Sequence, residues 1–87
     1  MQISDIVAAI QNRRVRITDH ADAEARGDRL SYEEAYYSVL QGEVIEDYPN
    51  DKPYPSCLVC GDTVSGDPVH TVWAFNPDNR WAVLFTV

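Results

Sequence analysis

The sequence is short of several things, and each shortage excludes something. There are only 87 residues, so neither a second core nor a Rossmann fold or (β/α)₈ barrel fits, and residues 1–87 read as one domain. No apolar run approaches the roughly 20 residues that a bilayer-spanning helix needs. The apolar stretch at the N-terminus precedes its arginines, the reverse of a signal peptide. A cytoplasmic location is therefore expected, with no membrane partner. Two cysteines three positions apart, in a chain without a secretion signal, read as reduced thiols rather than a disulfide. Basic residues are the scarcest class relative to their opposites: 7 against 14 acidic, for a net charge of −7. That excludes a general duplex-DNA binder, whose footprint is usually a basic surface.

What charge there is has an order. Residues 1–30 carry five arginines against five carboxylates, whereas residues 31–87 carry only Lys52 and Arg80 against nine. Anion-binding capacity thus belongs mainly to the N-terminal third, around His20. The acidic remainder suits a basic partner or simply solubility.

Apolar residues at 45% are enough for a packed core. Ile3, Ile6, Val7 and Ile10 recur at helical spacing, with Ser4 as the expected N-cap. Arg13–Ile17 alternates briefly and reads as a connector or short extended piece. Thr18 or Asp19 can cap a second helix carrying His20 to Arg26, which Gly27 can stop. Ser31-Tyr32-Glu33-Glu34 spells a capping box for a third helix that ends at Gly42. Beyond Gly42 the apolar period changes from 3.6 to 2. Strands are predicted over 43–48, 56–60, 69–75 and 80–87, with Asn76–Asn79 as a four-residue hairpin loop. Helices first and a meander of strands second predict an α+β fold: N-terminal helices packed on a roughly four-stranded antiparallel sheet.

The ordered set His20-Ala21, Leu30-Ser31-x-x-Glu34, Gly42-Glu43-x-Ile45-Glu46-x-Tyr48-Pro49, Pro53–Leu58, Pro68-Val69-His70 and Phe85-Thr86-Val87 resembles one family. It is a family of small prokaryotic domains known as domain-of-unknown-function family 4258. The resemblance runs from about residue 15 to the last residue. It implies a RelE- or barnase-like toxin plan and a ribonuclease of a toxin–antitoxin pair, with RNA as substrate and an antitoxin protein as partner. Two departures stand out. Family members usually carry an arginine four residues after the histidine, where this chain has Glu24. They also continue past the Thr-Val of the last strand into a tyrosine and a tail.

Metal-independent RNA cleavage needs a base for the 2′-hydroxyl, an acid for the leaving oxygen, and cations for the phosphate. His20 and His70 are the available acid–base pair, with Thr86 as an orienting group across the cleft. Arg26, Arg29 and Arg80 are candidate phosphate clamps. Tyr54, held between two prolines, is a candidate RNA contact, and Ser56 a further orienting group. The alternative is a non-catalytic protein-interaction module that kept the fold and lost the chemistry; Glu24 and the net charge favour it. No metal or cofactor is expected. Cys57-x-x-Cys60 has zinc-knuckle spacing, but in a strand the two side chains point to opposite faces. The remaining aromatic residues read mainly as core and interface.

One constraint concerns register. If the hairpin pairs Phe75 with Arg80, His70 and Thr86 fall on opposite faces. A joint His70–Thr86 site therefore requires a bulge or odd register, expected near residues 75–80.

Overall fold

Local capping rules position the three helices. The computed structural model describes residues 1–87. The first helix, α1, is Ile3–Gln11. It begins at Gln2 rather than at the expected Ser4, and the Asp5 carboxylate accepts the Gln2 amide at 3.4 Å. Helix α2, Asp19–Gly27, starts at Thr18, whose hydroxyl oxygen accepts from the Ala21 amide at 3.1 Å. Helix α3, Tyr32–Leu40, carries the full capping box, Ser31 Oγ to the Glu34 amide and Glu34 Oε1 to the Ser31 amide, both at 3.1 Å.

Helices α1 and α2 end in the same way. Past each C-cap an arginine takes the left-handed conformation, Arg13 with φ 58° and Arg29 with φ 56°. The next amide reaches back to the third-last helical carbonyl, Arg14 to Ala9 and Leu30 to Ala25, each at 2.8 Å. This is the Schellman closure, normally given to glycine. Gly27 itself is the last helical residue of α2.

The sheet corrects the expected strand count. Its strands are β1 (Val15–Ile17), β2 (Glu43–Tyr48), β3 (Ser56–Asp62), β4 (Pro68–Asn76) and β5 (Trp81–Thr86), in the spatial order β1-β5-β4-β3-β2. Four of them form the predicted antiparallel meander. The fifth, β1, pairs in parallel with β5, Val15 opposite Ala82 and Ile17 opposite Leu84. The sheet is therefore mixed. A parallel neighbour needs a long crossover, and α2, α3 and the meander supply it.

One face of the sheet is covered by the helices. Cys57, Val59, Thr71, Trp73, Phe75, Ala82 and Leu84 point into it and meet Ile6 and Ala9 of α1, Ala21 of α2 and Val39 of α3. Trp73 is completely buried, and its indole N–H donates to Thr71 Oγ1 at 2.9 Å. Large apolar side chains such as Trp73, Ile6 and Leu84 each stabilise the fold by roughly 1.5–3 kcal/mol through burial. Gly61 lets β3 lie against α3: a Cβ there would stand 1.8 Å from the Ser38 carbonyl oxygen.

The other face carries no helix. Arg16, Leu58, Cys60, His70, Val72, Trp81 and Val83 belong to it by strand alternation. The register of the last hairpin differs from Phe75 opposite Arg80. Phe75 pairs with Ala82 and Asn76 with Trp81, so the loop is residues 77–80, closed by Arg80 at φ 61°. The irregularity lies further along than residues 75–80. Trp73 pairs with Leu84 but Val72 with Thr86, leaving Phe85 as the bulged residue. That one extra residue returns Thr86 to the helix-free face, the face of His70.

Candidate functional site: a cleft at the end of β5

Helix α2 is pinned to the end of β5. The Thr18 amide donates to the Leu84 carbonyl at 3.1 Å, and the Thr18 hydroxyl donates to the Phe85 carbonyl at 3.3 Å. One helical turn on, His20 and Glu24 share a face, and Nε2 of His20 lies 3.1 Å from Oε1 of Glu24. The same Glu24 oxygen accepts the Val87 amide at 3.3 Å. Glu24 thus stands where the resemblance leads one to expect an arginine, and it fixes both an imidazole and the chain just past β5.

Val87 is also one wall of a cleft of about 380 Å³. The α2–α3 junction supplies Asp28, Arg29, Leu30 and Glu34, and the β3–β4 turn with the start of β4 supplies Thr63, Asp67, Pro68, Val69 and His70. Arg29 reaches the cleft because the Schellman closure turns the chain there. The β3–β4 turn is held by Thr63, whose hydroxyl accepts the Asp67 amide at 3.2 Å. His70 and Arg29 therefore share one concavity. His20 stands outside the lining, linked to it through Glu24 and Val87. Thr86 shares the His70 face, but Val87 rather than Thr86 lines the cleft. Three carboxylates, Asp28, Glu34 and Asp67, line it too; sequence reasoning assigned none of them to a site, reading Glu34 only as a helix cap.

The sequence model of the Domain of unknown function family DUF4258 matches residues 17–87. This chain belongs to the DUF4258 family. No curated protein and no solved structure matches it. All the cleft residues lie within the DUF4258 segment, whereas α1 precedes it and contributes Ile6 and Ala9 to the core.

The other candidates of this DUF4258 domain are dispersed. Arg26 is turned along its own helix, with Nε 3.0 Å from Oδ2 of Asp22. Asp22 also accepts the Tyr32 hydroxyl. That bond, helped by Arg26, holds the Asp22 carboxyl below its ordinary value, and the same bond raises the Tyr32 hydroxyl. Arg80 and Tyr54 lie at the opposite end of β5, about 17 Å away at the strand's rise per residue. Arg80 sits over the Phe75 ring at 5.6 Å and 3.7 Å from Asp5. Tyr54 lines a smaller notch of about 220 Å³ with Arg16, Asn76, Asn79, Trp81 and Val83. Ser56 is buried and donates to Asp51 at 2.6 Å. The cysteines divide as strand alternation predicts. Cys57 is in the core, where burial pushes its thiol up to about 11 with Asp47 adding to the effect. Cys60 is half-buried on the helix-free face. No three His, Cys, Asp or Glu side chains are grouped to hold one metal ion, and no helix is long and apolar enough to cross a membrane.

Proposed function

We propose that this DUF4258 domain is a toxin-type ribonuclease of the RelE-like kind, acting on single-stranded RNA and held in check by an antitoxin protein. One observation carries the reading: His70 and Arg29 share a cleft whose Val87 wall is hydrogen-bonded to the Glu24 that holds His20. In this reading the RNA strand crosses the Val87 rim that separates the cleft from His20, and His20, oriented by Glu24, takes the proton of the 2′-hydroxyl. The 2′-oxygen attacks phosphorus and the bond to the 5′-oxygen breaks. His70 protonates that leaving oxygen, giving a 2′,3′-cyclic phosphate and a 5′-hydroxyl. Arg29 stabilises the extra charge on the phosphoryl oxygens, and Thr86 orients the strand on the His70 face.

Cleavage of single-stranded RNA by purified protein tests it. His70→Ala and His20→Ala should each lower the rate by about 10²–10⁴-fold with little change in melting temperature, because both side chains are exposed. A chelator should leave the rate unchanged. Cleavage by either variant at the wild-type rate, or none by the wild type, overturns the assignment.

The non-catalytic reading also has an observation in its favour. Asp28, Glu34 and Asp67 outnumber Arg29 in the cleft, and the helix-free face exposes Trp81 and Tyr48. An interaction module would bind its protein partner unchanged after either histidine substitution.

A further inference from the structure

The notch at the hairpin end of β5 differs from the other clefts in one respect: no carboxylate lines it. The cleft of His70 has three, and the clefts at residues 47–51 and around Gly42 and Gly61 have two each. In a chain of net charge −7 that exception has a direct electrostatic consequence. Arg16 lines the notch and forms no ion pair, whereas Arg80 of the adjoining hairpin turn is directed to Asp5 and the Phe75 ring, away from it.

The polar groups of the notch are oriented. Asn76 Oδ1 accepts the Asp78 amide at 2.9 Å, and Asn79 Oδ1 accepts the Trp81 amide at 3.0 Å. Each carbonyl oxygen is committed to the turn. Each Nδ2 group, two hydrogen-bond donors, has no partner within the protein. Trp81 is 41% exposed, and Tyr54 adds a second ring. Two aromatic rings, two outward amide groups and one unpaired guanidinium therefore surround about 220 Å³. A ligand that satisfies all of them is planar, rich in acceptors and anionic. A nucleotide in an unpaired strand has these three properties together, with a stacking face, ring and phosphate acceptors, and negative charge.

We propose that this notch binds one nucleotide of a single-stranded RNA, with the base stacked on Trp81 and the phosphate on Arg16. It extends the ribonuclease reading, since the strand would then run along the helix-free face toward His70, but it stands on different residues. The acidic charge elsewhere does not forbid it, because separations beyond a Debye length of about 10 Å are largely screened at 0.1 M salt.

Fluorescence anisotropy of a labelled oligoriboadenylate tests the proposal, measured in a His70→Ala background so that the probe stays intact. Trp81→Ala should weaken binding by about tenfold or more, and Trp81→Phe should restore most of it. Arg16→Gln should reduce the slope of log K against log salt by about 0.7, one phosphate contact on a single strand. Binding should also quench Trp81 emission, since Trp73 is inaccessible. Unchanged affinity in both Trp81→Ala and Arg16→Gln overturns the notch, even for a protein that cleaves RNA. A protein that binds through Trp81 and never cleaves overturns the ribonuclease reading and leaves the notch standing. Capture of a protein partner through Trp81 with no oligoriboadenylate binding also overturns it.

Discussion

Strand β5 has two dissimilar ends. At Thr86 and Val87 the surroundings are histidine and carboxylate, with a single arginine in the cleft. At Trp81 they are arginine, aromatic rings and amides, with no carboxylate in the notch. Moving a proton and retaining an anion call for opposite neighbours. A carboxylate beside an imidazole orients it, whereas a carboxylate beside an anion-binding guanidinium cancels much of what it offers. In the function proposed for this domain, keeping the two tasks about 17 Å apart on one strand would let an acidic chain accommodate both. Net charge alone conceals this division.

The sharpest way to break the comparison is to cross the two sets of variants. His70→Ala should remove cleavage by the 10²–10⁴-fold given above while leaving oligoriboadenylate affinity intact. Trp81→Ala should raise KM with kcat held. If one parameter falls in both variants, the two ends are one site.

Next in size is a substitution that should harm both ends together. Gly61→Ala would place a Cβ against the Ser38 carbonyl and 3.0 Å from the Gly42 Cα. Backbone lies on both sides, so α3 must shift away from β3. A loss of roughly 2–3 kcal/mol is expected in urea unfolding, with reduced occupancy of cleft and notch alike. A stability near wild type would mean that this contact is looser than the geometry indicates.

Smaller effects separate the ends through their arginines. Arg29 and Arg80 both occupy left-handed backbone, so glycine at Arg29 should stabilise by roughly 0.5–1 kcal/mol, and at Arg80 by less, because the Asp5 and Phe75 contacts are lost with the guanidinium. Arg29→Gly should nevertheless slow cleavage, and Arg80→Gly should not. Thermal melts paired with rate measurements decide this, and parallel behaviour of the two would remove Arg29 from the cleft chemistry.

An effect absent at neutral pH concerns the thiols on the two sheet faces. Cys57 is raised from 9.0 to about 11. A folded-state value above the unfolded one gives stability that is fully present below pH 9 and lost as pH rises through 11. Replacing Cys57 with Ala should flatten that alkaline decline, whereas Cys60→Ala should leave it. At neutral pH a thiol reagent should modify Cys60 before unfolding and Cys57 only after it.

Much of this arrangement was legible in residue order, for identifiable reasons. Ser31 and Glu34 are chemically complementary at the spacing that caps a helix, and the change of period after Gly42 marks the start of the meander. The His20–Glu24 pair could also have been read from its four-residue spacing. Strand β1 was not legible as such, because three residues become a strand only when a partner nearly seventy residues later accepts them. The hairpin register escaped because its closing left-handed residue is Arg80, where a glycine would have signalled the turn. Grouping Arg80 and Tyr54 with the histidines failed for a topological reason: they sit beside the first residue of β5 and the histidines beside the last.

The bulge in β2 has a consequence for crowded solutions. This strand is an outer edge of the sheet, and its register shifts between Val44 and Glu46. Glu43, Glu46 and Asp47 surround the exposed Ile45. A second molecule trying to extend the ladder from that side would meet a kinked row of amides and set like charge against like. The opposite edge, β1, offers only three residues with Arg16 at its centre. Both borders therefore terminate the sheet, and a domain with an apolar sheet face open to water is kept from growing into a fibre.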